Sequence, residues 1–358
     1  MMKGLKKWRL FAMFTVVAAF LAGCGEDYLS TLKPSGAVGR EQLNILILSV
    51  IIMTFVVVVV SVIYLLAFVK FRRSKVGEDY MPKQVEGSHT LEVIWTVIPI
   101  ILLLILAVPT INSTYKFADV AAMDEVDEEG NKTALTINVT AKLYWWEFEY
   151  PDYGVVTAQE LVVPTDEKVY FNLMAADVKH SFWIPSVGGK MDTNVENINK
   201  FFLVFDKESA SLNDGEGVFY GKCAELCGPS HALMDFKVKS LDRPSFNAWI
   251  AAMKATEGQT ADENSTDLGE ATFANSCLAC HAISGTSPAG ALGPNLTTFG
   301  DRNRIAGFMD HDKKELVEWI TNSGEVKEGN LMPSFKGVFT DEEVDAIADY
   351  LLQLSVEN

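Results

Sequence analysis

Cys223-Ala224-Glu225-Leu226-Cys227-Gly228-Pro229-Ser230-His231-Ala232-Leu233-Met234 brings two thiols, an imidazole and a thioether into twelve residues. A second imidazole precedes it in Lys179-His180-Ser181-Phe182-Trp183-Ile184-Pro185. Soft sulphur together with imidazole favours copper among the common metals, and zinc needs no thioether. A blue copper centre takes one Cys, two His and a weak axial Met. This stretch holds one Cys more, and a thiolate sulphur can bridge two metals. Two thiolates, two imidazoles, the Met234 thioether and a loop carbonyl such as that of Glu225 suffice for two copper ions. Three other readings compete on the residues alone: a Cys223–Cys227 disulfide, structural zinc on Cys223, Cys227, His231 and His180, and Met234 as plain core filler.

Around this stretch the chain reads as short strands. Leu135-Thr136-Ile137-Asn138-Val139 alternates apolar and polar, as a half-buried strand does. Runs at 144–150, 169–173, 201–205, 218–220 and 236–238 continue the series, punctuated by Pro and Gly turns. Short strands at this spacing predict a β-sandwich or barrel. Gly228-Pro229 forbids a regular helix through the motif, so the ligands from Cys223 to Met234 are expected on one end-loop, with His180 on another nearby.

A polar stretch from Ala255 to Thr266 has no apolar period and reads as a linker. Beyond it stands Cys277-Leu278-Ala279-Cys280-His281, the C-x-x-C-H pattern of c-type haem attachment. Two thiols add to the haem vinyl groups and His281 ligates iron. Leu331-Met332-Pro333 supplies a thioether, and a His/Met pair marks electron transfer rather than oxygen chemistry. His311, between Asp310 and Asp312, is a rival ligand and reads as solvated. Thr340-Asp341-Glu342-Glu343 is a capping box opening a helix with Val344, Ile347, Ala348, Leu351 and Leu352 on one face. Lys313–Thr321 predicts another helix.

Toward the N-terminus, Ile45–Val69 and Val93–Tyr115 are uncharged runs long enough to cross a membrane. The second contains Pro99 and Pro109, whose freed backbone groups a neighbouring helix can satisfy. Lys70, Arg72, Arg73, Lys75 and Lys83 lie between the runs, which makes that loop cytoplasmic and both flanks external. Lys3, Lys6, Lys7 and Arg9 precede a short apolar stretch ending in Leu21-Ala22-Gly23-Cys24, which resembles a bacterial lipobox: a leader over 1–23, cleavage before Cys24 and lipid on its sulphur. The two signals agree on one topology.

Composition supports this division. Hydrophobic residues make up 49% of the 358-residue chain, which already suggests membrane segments. Residues 1–91 hold 11 Lys and Arg against 6 Asp and Glu, a balance of +5, leaving −22 for the remainder of a chain whose net charge is −17. A strongly acidic outer part argues against nucleic acid as partner. It serves either solubility or the steering of a basic redox protein. All five cysteines have a role outside structural disulfides.

The Cys223–Met234 stretch with His180 resembles the dinuclear CuA motif of subunit II of haem–copper respiratory oxidases, and nearly the whole chain follows that family, in its caa-type form with a fused cytochrome c. The resemblance implies a multidomain chain: a lipid-anchored N-terminus with a two-helix transmembrane hairpin over 24–115, an all-β cupredoxin-like Greek-key barrel over 116–254, the linker over 255–266, and a small all-α cytochrome c domain over 267–358. It makes Cys223 and Cys227 bridging copper ligands, His180, His231 and Met234 terminal ligands, and Glu225 a ligand through its carbonyl. Haem c is held by Cys277 and Cys280, with His281 and Met332 axial. Glu92, at the start of the second span, matches the residue at the mouth of one proton channel; a solvated helix-start Glu is the alternative. Tyr144, Trp145 and Trp146 are the aromatic candidates for electron uptake from cytochrome c. Tyr144 stands where the family most often has Trp, and core packing is the competing reading. A magnesium ion at the subunit interface is implied loosely by Asp192 and Glu196, with Glu225 the stronger candidate.

The implied function is an electron-receiving subunit of a terminal oxidase in the bacterial cell membrane, with its copper and haem domains on the outer face. It would pass electrons from the haem to the copper pair and on to subunit I, which reduces oxygen to water and moves protons. Partners are subunit I and other oxidase subunits, membrane lipid, and a donor, either cytochrome c or quinol–cytochrome c reductase. The alternatives are the same subunit in a CuA-containing nitric oxide reductase and a membrane-tethered copper-delivery protein. The first differs in taking up nitric oxide, the second in needing no covalent haem.

Overall fold

The computed structural model describes residues 25–357 except 78–79, 131, 213–215 and 287–291, with five isolated positions before residue 25. Cys24 and nearly all of the leader lie outside the described residues.

Helices α1 (Ala37–Lys70) and α2 (His89–Ala118) are, among the described residues, the two long and apolar enough to cross a membrane. Each exceeds the uncharged run that predicts it, because polar turns extend it beyond the apolar part. Polar side chains near the outer ends hold the pair together: Ser113 donates to one oxygen of Glu41 at 2.5 Å, and Lys116 bonds the other. An acid that would be costly unpaired beside lipid is thereby satisfied by two donors.

Ten strands follow: β1 (Thr136–Lys142), β2 (Trp145–Tyr150), β3 (Val155–Ala158), β4 (Glu160–Pro164), β5 (Lys168–Ala175), β6 (His180–Trp183), β7 (Met191–Thr193), β8 (Asn199–Val204), β9 (Phe219–Cys223) and β10 (Asp235–Leu241). They form two five-stranded sheets, ordered β3-β2-β1-β5-β8 and β4-β10-β9-β6-β7. Aromatic side chains from both sheets fill the space between: Phe182 stacks on Phe236 at 4.8 Å, and Trp146 and Phe171 pack against them. Offset and edge-on pairs of this kind add to plain area burial.

Four strands have no counterpart in the sequence reading. β3 and β4 are buried at every position, so they show no alternation. β6 and β7 are too short to display a period. His180 accordingly opens a strand rather than sitting in an end-loop. β3 and β4 are covered partly by α3 (Arg243–Ala255), capped by the Asp242 carboxylate accepting from the Ser245 N–H, with Phe246, Trp249, Ile250 and Met253 turned inward. Trp249 meets Tyr150 at 5.4 Å.

The last part contains α4 (Leu268–Ser276), α5 (Lys313–Val326) and α6 (Asp341–Leu352). The Thr340/Glu343 capping box is formed in full. Phe273 of α4 meets Tyr350 of α6 at 5.5 Å. Between α4 and α5 lies a small hairpin, β11 (Arg304–Ile305) and β12 (Met309–Asp310), which nothing in the local sequence announces.

Candidate functional site

β9 ends at Cys223 and β10 begins one residue after Met234, so the motif is the loop joining two neighbouring strands. Backbone bonds close it: the Cys223 N–H donates to the Met234 carbonyl and the Ala224 N–H to Ser181 on β6. Pairing sets Cys223 opposite Phe182, and His180, two residues before Phe182, shares its face. Gly228 has φ +142°, and any Cβ there would strike the Tyr144 hydroxyl at 2.3 Å. The tight loop and its aromatic neighbour therefore require glycine at this position.

All six expected donors converge. The Cys223 and Cys227 sulphurs stand 3.9 Å apart. Cys223 Sγ lies 3.9 Å from His180 Nδ1 and 3.3 Å from the Glu225 carbonyl. Cys227 Sγ lies 3.7 Å from His231 Nδ1 and 3.8 Å from Met234 Sδ. His180 and Met234 are fully buried. Burial works against ionising Cys223, but contacts with His180 and the Glu225 and Ser181 backbone outweigh it and bring its thiol down to about 7. Burial and then the charge on Cys223 push Cys227 the other way. Two thiolates this close need cationic charge between them, and coordination deprotonates a thiol outright. The donor set therefore fits copper: both sulphurs are free, unbridged by a disulfide, and the thioether is turned in with them.

One residue that sequence reasoning missed completes the site. Asp177 bonds His180 Nε2 at 2.8 Å and also accepts from the Leu143 and Val178 N–H groups. A carboxylate on the far ring nitrogen fixes the tautomer and leaves Nδ1 for metal. Its signal was a carboxylate three residues before the ligand in the same turn. Burial raises the Asp177 pKa, but the bonds from His180, Val178 and Leu143 prevail and hold it below the usual range. Its charge therefore stabilises the fold above the unfolded value of about 3.9, and that contribution disappears as pH falls through the lower folded value. Asp177→Asn is expected to lower copper affinity by roughly 10–100-fold. The stability gap between metal-free wild type and variant, followed by denaturant titration, should close as the solution is acidified.

Trp146 lies behind the loop, its indole N–H donating to the Met234 carbonyl at 3.3 Å and its ring edge-on to His180. Met234→Leu is expected to leave the fold intact, since a volume-conserving swap costs under about 1.5 kcal/mol. It should shift the copper potential, because the axial thioether tunes it; a redox titration with unchanged midpoint would remove Met234 from the ligand set.

The second site is a cavity of about 300 Å³ with Cys277, Cys280, His281 and Met332 in its wall. The His281 N–H is held to the Cys277 carbonyl and its ring Nδ1 lies 2.8 Å from the Pro294 carbonyl, so the ring is fixed with Nε2 free. Burial lowers the His281 pKa, favouring the neutral ligand form. Met332 is positioned by its own N–H on Asn330 and by Ser323 on its carbonyl. The Arg302 side chain is 5% exposed, its Nη2 bonds the Asn295 carbonyl, and its Nε has no partner among the described residues. A buried cation with an unused donor in this wall fits a haem carboxylate. His311 is not solvated: it is half-buried against Phe299, with Nε2 2.9 Å from the Phe299 carbonyl, and is not in the cavity wall.

The two sites are contiguous. Tyr144 and Trp145, both buried, form part of the haem-cavity wall, and Tyr144 also packs on Gly228 of the copper loop. Glu92 stands exposed in the first turn of α2. Asp192 is paired with Lys179 at 2.7 Å, and Glu196 is exposed.

Three families match this chain: the transmembrane domain of cytochrome c oxidase subunit II over residues 32–112, its periplasmic domain over 154–241, and cytochrome c oxidase, cbb3-type, subunit III over 264–351. Among curated proteins, the chain is 54% identical to cytochrome c oxidase subunit 2 of Bacillus sp. strain PS3, covering all of both chains. It is 49% identical to the Bacillus subtilis protein of the same description, over 99% of each. To that of Alkalihalophilus pseudofirmus it is 42% identical, over 98% of this chain and 99% of the other. With two membrane helices, a β-sandwich carrying a sulphur–imidazole cluster and a fused haem-attachment domain, the chain belongs to the cytochrome c oxidase subunit II family, and electrons enter the oxidase through it.

Proposed function

We propose that this chain holds two copper ions on Cys223, Cys227, His180, His231, Met234 and the Glu225 carbonyl, and one haem c on Cys277 and Cys280 between His281 and Met332. When bound, each centre supplies a site that takes up and gives up one electron. The residues around them hold that exchange in place. Asp177 and Pro294 orient the two histidines whose outer ring nitrogens they engage. Strand ends on both sides of the copper loop restrict its movement, which keeps reorganisation between redox states small. Of the three aromatic candidates, Tyr144 lines the haem cavity and also packs on the copper loop, Trp145 lines the cavity, and Trp146 braces Met234. Tyr144 is thus the better candidate for the passage of electrons.

The observation that carries this reading is the 3.9 Å separation of two free sulphurs, each with its own imidazole within 3.9 Å. As an oxidase subunit II the chain works with other oxidase subunits, subunit I among them. The proposal extends to a donor, either cytochrome c or quinol–cytochrome c reductase, that reduces the haem. It also includes magnesium near Glu225 at the subunit boundary, proton uptake past Glu92, a cleaved leader over 1–23 and lipid on Cys24. The domain limits 24–115, 116–254 and 267–358, joined by a linker over 255–266, belong to the same reading. Metal analysis and the absorption spectrum of the purified oxidase test its centre. Two coppers and one covalent haem per copy of this chain are expected; zinc, or a single copper at full loading, would overturn it.

A further inference from the structure

A polar linker of the kind read at 255–266 would let the cytochrome domain swing on a tether. The contacts between the domains argue otherwise. The tip of the β11–β12 hairpin, Ala306-Gly307, is inserted against the β-domain, and two buried lysines, one from each domain, donate to it. Lys327, at the end of α5 and 2% exposed, donates to the Ala306 carbonyl of its own domain and to the Tyr144 carbonyl of the β-domain, both at 2.8 Å. Lys237, on β10 and 1% exposed, donates across the boundary to the Gly307 carbonyl at 3.0 Å and lies 3.9 Å over the Tyr220 ring. Gly307 has φ +91°, and a Cβ there would meet the Asp235 carbonyl at 2.2 Å, so the tip comes as close as a backbone can. Beside it, the Asn303 N–H donates to Glu160 and Arg304 pairs with Glu216. The Val156 N–H of β3 donates to the Gly285 carbonyl at 2.8 Å.

We propose that Lys237 and Lys327 form a reciprocal clamp on this hairpin, which keeps the cytochrome domain docked through turnover and makes Tyr144 and Trp145 a permanent part of the haem-cavity wall. Lysine is depleted at the cores of ordinary interfaces because a buried ammonium is costly without good acceptors. Here the docked arrangement supplies one carbonyl across the boundary to each lysine, Tyr144 to Lys327 and Gly307 to Lys237, beside the Ala306 carbonyl that Lys327 has within its own domain. Undocking the hairpin costs each buried amino group a carbonyl that it donates to, so the pair selects a single register. Both lysines are positioning residues. The clamp rests on the proposed haem-to-copper relay for its purpose but not for its geometry.

Amide exchange on the purified holo-oxidase tests it. The Val156 and Asn303 amides, bonded across the boundary, should exchange as slowly as the β1 amides in wild type. In the Lys237→Met/Lys327→Met double variant they should exchange more than about tenfold faster, since the two buried hydrogen bonds lost across the boundary together carry an effect of that size. The β1 amides should not change. A second measurement needs no variant: the rate at which photoreduced haem passes its electron onward should be independent of added sucrose in wild type. Fast exchange of Val156 and Asn303 in wild type, a wild-type rate that falls with viscosity, or unaltered exchange in the double variant would each overturn the clamp. Copper and haem content, measured on the same samples, reports separately on the relay.

Discussion

Cys227→Ser is expected to reduce the copper content from two per chain to one or none and to cut turnover with an external donor by at least ~100-fold, beyond what outer-shell changes cost. Cys227 is the hub of the cluster, with Cys223, His231 and Met234 all within 3.9 Å of its sulphur. Serine keeps the shape but offers a hard oxygen that stays protonated, so nothing replaces the second thiolate. The fold should survive. Cys227 is half-exposed at the loop tip, while the aromatic core of Trp146, Phe182 and Phe236 lies beneath it. Copper analysis with circular dichroism of the same preparation separates the two effects. Retention of two coppers with a normal spectrum would mean that Cys227 bridges nothing.

Met332→His should lower the haem potential on the order of 0.2 V, a fraction of the roughly 0.8 V that axial ligation controls. Thioether ligation raises a c-type haem relative to a second imidazole. Attachment should be intact, because Cys277, Cys280 and the His281–Pro294 contact are untouched. External donors would then fail to reduce the haem, although an electron already placed there would pass on. A potentiometric titration of the haem band checks this. An unchanged midpoint would show that Met332 is not the second axial ligand, and His311, held on Phe299 away from the cavity wall, would not rescue the assignment.

Much of the site was legible in the chain because its chemistry is local. Five of the six proposed copper donors fall within twelve residues, the proposed haem thiols and His281 within five, and a twelve-residue loop between paired strands must bring its ends together. The two spans follow from uncharged length, and the last helix from the Thr340/Glu343 box. Strands β3 and β4 were invisible for the opposite reason: once both faces are covered, alternation disappears, and the covering elements, α3 and the cytochrome domain, come from elsewhere in the chain.

By itself the sequence determined which atoms could bind metal, which two runs are long and apolar enough to cross a membrane, and that a copper-type motif and a haem-attachment motif share one chain. Only the tertiary structure decided that Asp177 orients His180, that Tyr144 touches both sites, and that Lys237 and Lys327 grip one hairpin from two domains. The reason is separation along the chain. Residue type and spacing set donor chemistry and periodicity, whereas Tyr144 and Lys327 lie 183 positions apart. No local pattern encodes such a contact, and only the packing of two finished domains creates it.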